Sequence, residues 1–552
     1  MIVLPLKDSM QTRKISPRER RLLRLPWILL TIGCALSTLL ISIDISQKLD
    51  IPKASQSIEF TASNSPFKSE PVSLHSPHST LNKSNLLQYC KELFFVQRLD
   101  HFNATQNTTF PQRYFFCDPY EFTTTTKTIF FYLGNEAQVT LYLNHTGLMW
   151  ENAKEFKAAL IFAEHRYFGR SIPFPKENVR QNMGFLSSEQ ALADYAALIT
   201  SVKQNMTHLQ RVPFIGFGGS YGGMLAAWFR LKYPHIIDGV IAASAPVLAF
   251  MGDQRPVDMG GFARVSTFDA TIGAGAARHC AQNIRKSWQS MWKLSKTVRG
   301  REKLSAIFHL CQNSILKSEK DAEAMILWAK EAFDYMSMGN YPYPTSYIMN
   351  GDSVLPSYPV RVACDFLSNA FVVPKDEEKM LKAFVQSIGV YYNSTKQKSC
   401  HDVKPASEES RQDADFWDYI YCSELYMPSS TDGIHDMFWP VAWNQSEDNT
   451  HCVNTWGVSI RPFWAVTQYG GLKALQSVSN IVFSNGNYDP WSATGVTKSF
   501  SSIVYVPVPG GAHHIDLFFS NDLDPPLVRN ARYLERQHIR QWINLVELST
   551  LQ

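Results

Sequence analysis

One stretch constrains the fold of this chain more than any other: Pro213-Phe-Ile-Gly-Phe-Gly-Gly-Ser220-Tyr-Gly-Gly-Met224, an apolar run that meets a serine set between glycine pairs. Residues 213–217 read as a strand and 224–233 as a helix, so Gly-x-Ser-x-Gly sits at a strand-to-helix turn. Such a turn strains the backbone at the serine and leaves no room for side chains beside it, which is why glycine is needed there. It lifts the Ser220 hydroxyl above the strand ends. It also aims the N–H of Tyr221 at the attacked carbonyl, an oxyanion donor worth about 3 to 4 kcal/mol in comparable hydrolases.

The rest of the chain agrees with a mostly parallel sheet covered on both faces, an α/β-hydrolase fold. Short β-branched and aromatic runs at 128–133 and 158–163 each end in a turn, and helical spacing follows at 188–202. Between 255 and 435 long amphipathic stretches dominate, at 281–294, 322–336 and 375–388, and predict a helical cap inserted into the sheet. Strand patterns return at 480–484 and 503–508, and an amphipathic helix closes the chain at 527–548. The expected catalytic domain is therefore 87–254 with 436–552. At 552 residues and 45% apolar composition the chain has ample material for it.

A serine hydroxyl is a poor nucleophile until a histidine takes its proton and an acid orients that histidine. In this fold both follow the serine in the chain. Asp489 in Ile481-Val-Phe-Ser-Asn-Gly-Asn-Tyr-Asp489-Pro-Trp491 lies just past a strand and is the candidate acid; an ordinary Asp-Pro turn is the plainer reading. The base follows the next strand, in Pro509-Gly-Gly-Ala-His513-His514, and the pattern does not decide between the two histidines. Gly134 in Leu133-Gly-Asn-Glu136 is the candidate second oxyanion donor, and Glu136 could hold a substrate amino group by a charge-assisted bond. Glu164-His-Arg166 reads as a structural ion-pair cluster. No HExxH, CxxC or P-loop pattern occurs, so neither a metal nor a cofactor is implied. A formal charge of +4 from 53 basic and 49 acidic residues gives no reason to expect a nucleic-acid partner.

Arg13, Lys14, Arg18, Arg20, Arg21 and Arg24 precede an uncharged run at 25–43 that is long enough to span a bilayer. The expectation is a cytosolic tail (1–24), a transmembrane signal anchor (25–43) and a flexible stalk (44–86), giving a single-pass type II protein with a lumenal or extracellular catalytic domain. A cleaved signal peptide, with a lysosomal or secreted product, is the alternative. Cys34 lies in the run, whereas Cys90, Cys117, Cys280, Cys311, Cys364, Cys400, Cys422 and Cys452 follow it, enough for four disulfides whose pairing spacing alone leaves open. Glycosylation acceptors at Asn82, Asn103, Asn107, Asn144, Asn205, Asn393 and Asn444 fit the same compartment.

Gln97-Arg-Leu-Asp-His-Phe102, Phe110-Pro-Gln-Arg-Tyr114, Gly134-Asn-Glu136, Phe162-Ala-Glu-His-Arg-Tyr-Phe-Gly169, Ser188-Glu-Gln-Ala-Leu-Ala-Asp194, Gly218-Gly-Ser-Tyr-Gly-Gly-Met224, Ala242-Ala-Ser-Ala-Pro246, Ser484-Asn-Gly486, Asp489-Pro-Trp491 and Gly511-Ala-His-His514 run nearly to the C-terminus. As a set they resemble the serine peptidase family that contains lysosomal Pro-X carboxypeptidase, dipeptidyl peptidase II and thymus-specific serine protease, exopeptidases that favour proline before the scissile bond. The resemblance implies Ser220 as nucleophile, Asp489 as acid, His513 as base, and a slot for the pyrrolidine ring lined by Met224 and Trp491. It also implies bridges Cys280–Cys364, Cys311–Cys400 and Cys422–Cys452, leaving Cys90 with Cys117. Phe110-Pro-Gln-Arg-Tyr114, Tyr341-Pro-Tyr-Pro344 and Ser484-Asn-Gly-Asn487 look slightly closer to the dipeptidyl peptidase branch. Ala137-Gln138 and Ala493-Thr494 depart from the family's glycine-containing pairs and flank the expected site. Peptides are the expected partners, with the bilayer through the N-terminal run and room for a homodimer. An esterase or lipase on the same fold is the competing enzyme class, and a non-catalytic ectodomain the competing non-enzyme.

Overall fold

The computed structural model describes residues 81–403 and 408–551. The expected tail, span and most of the stalk lie outside the described residues. Among the described residues no helix is long and apolar enough to cross a membrane.

Eight strands, β1 (Cys90–Arg98), β2 (Thr109–Cys117), β3 (Thr128–Leu133), β4 (Ala158–Ala163), β5 (Phe214–Gly219), β6 (Gly239–Ala243), β7 (Ile481–Gly486) and β8 (Ile503–Val508), form one sheet in the order β1-β2-β4-β3-β5-β6-β7-β8. The β1–β2 and β2–β4 pairs are antiparallel and the other five pairs parallel. Every residue of β3 to β7 is buried, as strands covered on both faces must be. Alternation sorts the side chains: Ile129, Phe131 and Leu133 enter one core with helices α1 (Ser188–Asn205) and α2 (Tyr221–Lys232), while Phe130 and Tyr132 enter the opposite one. This is the α/β-hydrolase sheet with its helices on both sides.

After β6 the chain leaves the sheet for helices that include α3 (Gly261–Asp269), α4 (Cys280–Ser295), α5 (Glu319–Met338), α6 (Pro359–Phe366), α7 (Glu377–Tyr392) and α8 (Glu408–Ser423), returning only at β7. The helices α4, α5 and α7 make a third core, in which the buried Trp288 ring meets Phe384 edge-on at 4.8 Å and Phe333 at 6.3 Å. Two disulfides, Cys280–Cys364 and Cys311–Cys400, lie within this insertion. α5 opens on a capping box, Ser318 and Asp321 each satisfying the other's backbone N–H, and ends at Met338. The side chains of α8 belong elsewhere: Phe416, Tyr419 and Ile420 pack into the sheet-side core, against Tyr167 and Phe168.

The bridges Cys90–Cys117 and Cys422–Cys452 are also present, so the four pairings implied by resemblance all occur. Cys90 and Cys117 are register partners of β1 and β2, and their bond ties the edge hairpin. Of the seven glycosylation acceptors six are exposed; Asn393 is half-buried and its amide donates to Lys398 O at 3.1 Å. A closing helix, α9 (Pro526–Leu551), packs Trp542 over Gly239 of β6.

Candidate active site

The serine turn is as tight as its glycines demand. Ser220 has φ 58° and ψ −126°, a conformation that costs an L-residue about 1 to 3 kcal/mol and persists only where its surroundings enforce it. Here the Ser220 N–H donates to Ala243 O at 3.0 Å and its carbonyl accepts from Met224 N–H at 3.0 Å. A Cβ on Gly218 would stand 2.0 Å from Gly222 O, so glycine is what lets α2 start directly over β5. A Cβ on Gly219 would stand 2.8 Å from the His514 ring, so the second glycine admits the histidine loop. The N–H of Tyr221 lies in the first helical turn, where no intrahelical acceptor exists, and is free for an oxyanion.

Asp489 follows β7 and His513 follows β8, neighbouring parallel strands whose ends lie side by side. The Asp489 carboxylate is fully buried; Oδ1 accepts from His513 Nδ1–H at 2.9 Å and from Trp491 N–H at 3.1 Å. That bond fixes the tautomer in which His513 Nε2 carries a lone pair, the form a general base requires. Ser220 Oγ makes no hydrogen bond among the described residues, a contact that in hydrolases commonly tightens only in the Michaelis complex.

The structure separates the two histidines. His514 is buried with its ring 5.0 Å from that of Tyr347 and 5.5 Å from that of Phe518, and neither ring nitrogen has a partner. Burial first, then the neighbouring His513, pushes its pKa well down, so it stays neutral, and neither of its ring nitrogens reaches the acid. Its backbone anchors the loop: the His514 N–H donates to Ser244 Oγ at 2.8 Å, with φ 39°. His513 is held by a segment that local sequence reading missed. Its N–H donates to Met338 O at 3.2 Å, and its carbonyl accepts from the buried Tyr341 hydroxyl at 2.9 Å. Tyr341-Pro-Tyr-Pro344 was the only signal of this contact, and nothing in it points to residue 513.

One expected donor is corrected. The Gly134 N–H donates to Ala163 O at 3.1 Å, so its proton points along the sheet toward β4 and away from any substrate oxygen. The following amide, of Asn135, makes no backbone hydrogen bond among the described residues. Half-buried Glu136 accepts from Asn135 Nδ2 at 2.9 Å; burial raises its pKa, and the Asn135 bond and the His513 charge oppose that rise. The 164–166 segment is structural. Glu164 takes the Arg113 guanidinium together with the N–H groups of Val139 and Arg170 and the Ser171 hydroxyl, and Arg166 grips Asp194 through two 2.7 Å bonds. His165 donates Nδ1–H to Arg166 O, so its Nε2 accepts from the Tyr221 hydroxyl at 3.1 Å. Burial pushes His165 down to about 4 and keeps it neutral, and the cluster thereby braces the helix that begins at Tyr221.

Met224 is 1% exposed within the sheet-side core. Trp491 is half-buried, with its Nε1 on Met338 Sδ at 3.2 Å and its ring edge-on to Phe262 at 5.1 Å. Ala493, one of the departures from the family pattern, lines a cavity of about 390 Å³ with Arg264, Phe268 and Asn487.

These features accompany clear relationships. A family model described as Serine carboxypeptidase S28 matches residues 97–535. The chain is similar to lysosomal Pro-X carboxypeptidase of Homo sapiens, 40% identical over 474 residues that cover 85% of this chain and 92% of that one. It is also similar to prolyl carboxy peptidase like protein 5 of Caenorhabditis elegans, 37% identical over 472 residues, 82% of this chain and 90% of that one.

Proposed function

The chain belongs to the Serine carboxypeptidase S28 family, and on that premise we propose that this serine exopeptidase removes the C-terminal residue from peptides whose penultimate residue is proline. Ser220 Oγ attacks the prolyl carbonyl while His513 Nε2 takes its proton and Asp489 stabilises the imidazolium. The N–H groups of Tyr221 and Asn135 receive the oxyanion, His513 passes the proton to the leaving amine, and water then releases the prolyl acyl group by the same route. The slot for the pyrrolidine ring is assigned to half-buried Trp491 with Met224 beneath the serine turn, on the family resemblance. The observation that carries the direction of cleavage is the near full-length likeness to relatives named as Pro-X carboxypeptidases.

A second reading, removal of an N-terminal dipeptide, draws on Glu136, a half-buried carboxyl near His513 of the kind that holds a substrate ammonium. Two peptides separate the readings: an N-blocked chain ending in Pro-X with a free carboxylate, and X-Pro-reporter with a free amine. Cleavage of the first alone supports the carboxypeptidase, and cleavage of the second alone replaces it.

Lumenal or extracellular folding is supported by the four disulfides, and a lysosomal address by relatives whose names carry that word. Retention by the run at 25–43 as a type II anchor is the finer proposal. Full-length protein appearing in the supernatant of a carbonate wash would dismiss it.

A further inference from the structure

A second carboxyl group stands behind the catalytic acid. Asp269 ends α3, is fully buried, and neither of its oxygens has a hydrogen-bond partner. α3 packs along the turn Pro490–Thr494 that Asp489 caps, so tightly that a Cβ on Gly261 would stand 2.5 Å from Ala493 Cβ. Asp489 itself spends Oδ1 on His513 and Trp491 while Oδ2 is buried and unpaired. Facing Asp269 is the buried carboxamide of Asn340, close enough to favour its charged form yet outside hydrogen-bond geometry, with both amide atoms unpaired. Asn340 adjoins Tyr341, the residue that holds His513. Buried unpaired polar atoms are rare enough that such a group, gathered behind a catalytic dyad, asks for a reason.

We propose that Asp269 is a positioning residue for the triad: protonated, it lets the cap helix α3 lie against Asp489, and on ionisation it repels Asp489 and unseats His513. The inference rests on the triad reading above. Two carboxylates that feel each other's charge across a dry interior cannot both be ionised without large cost. Burial raises the pKa of Asp269 well above the usual carboxyl range, and the Asp489 charge raises it further. Opposing it are Asn340 and the Arg361 guanidinium from α6, which also stacks on Tyr358 at 3.5 Å and lies 3.5 Å from the Tyr488 hydroxyl. From the histidine loop His513 faces Asp489, and from the α5 side Tyr341 is a buried neutral phenol, pushed up by burial and by Asp489. Only Arg361 among these charged groups offsets a second negative charge at Asp269. The neutral form therefore fits the closed site, and activity belongs to the acid side of the Asp269 titration.

The test reads the serine directly. The rate at which a fluorophosphonate labels Ser220 is followed from about pH 4.5 to about pH 9 for the wild-type chain, Asp269→Asn and Arg361→Gln, a readout that needs no proline-containing substrate. Wild-type labelling rises from the acid end of that range and falls again at higher pH. Asp269→Asn keeps the rise and lacks the fall, so its rate relative to wild type grows by about tenfold per pH unit above the break. Arg361→Gln, at a half-buried site where folding is less at risk, moves the fall to higher pH. Profiles that stay parallel for both variants overturn the proposal. An unlabelled Ser220 in the wild-type chain overturns the triad reading too, a result that parallel profiles cannot imitate.

Discussion

At the elbow, what holds Ser220 comes from nearby in the chain: Ala243 O on the next strand, Met224 N–H one helical turn on, and glycines at 218 and 219 that let helix and loop approach. At the histidine loop the supports come from far away. His513 leans on Tyr341 across 172 positions and on Met338, and His514 on Ser244 across 270. The proposed nucleophile is thus held by a short motif, whereas the proposed base is held by residues 338–341 of the inserted helices. Damage to the cap should cost the base first and leave the elbow intact.

The largest expected effect isolates the chemistry common to both regions. Ser220→Ala should lower kcat by about a millionfold, with a melting temperature equal to wild type, because the hydroxyl packs nothing. Gly218→Ala forces a methyl onto Gly222 O and should destabilise by about 1 to 3 kcal/mol, measured by chemical denaturation, with activity lost alongside. Tyr341→Phe tests the other region. It leaves the His513 carbonyl without its donor, at a cost of about 1 to 3 kcal/mol, and should reduce kcat/KM by roughly 5- to 150-fold while the slope of denaturation is unchanged. Equal sensitivity of fold and activity to both of these changes would erase the distinction drawn above.

The smallest effect lies on a long-range contact outside the triad. Glu424 accepts from Ser188 N–H at 2.7 Å, and burial pushes its pKa up to about 8 against those bonds to Ser188. A carboxyl raised in the folded state contributes stability that is complete below its unfolded pKa of about 4.3 and is lost as pH rises through about 8. Glu424→Gln should therefore flatten the fall in stability between about pH 5 and pH 8 by about 1 to 3 kcal/mol, with turnover within about twofold of wild type. A slope unchanged by the substitution would mean that the contact opens in solution.

Most of the sheet could be read in advance because buried parallel strands write themselves as unbroken apolar runs; 128–133 and 158–163 became β3 and β4 with those bounds. The elbow was legible for the same reason, since strand, glycines, serine and helix are contiguous. Gly134 failed because the direction of its N–H is decided by Ala163 across the sheet, which no local pattern reports. Periodicity marked the apolar faces of the inserted helices but not the core each face would meet, and α8 joined the sheet-side core instead of the one its neighbours build. The Met338–Tyr341 clamp and the Asp269–Asn340 group were invisible because each is a meeting of distant segments.

The order of these parts along the chain also sets a schedule. A ribosome delivers Ser220 and its elbow first, then the clamp residues, then Asp489, and after it His513. At about 5 to 20 residues per second the gap of nearly three hundred positions between nucleophile and base amounts to roughly 15 to 60 seconds. Throughout that interval the nascent chain holds the proposed nucleophile and lacks its proposed base.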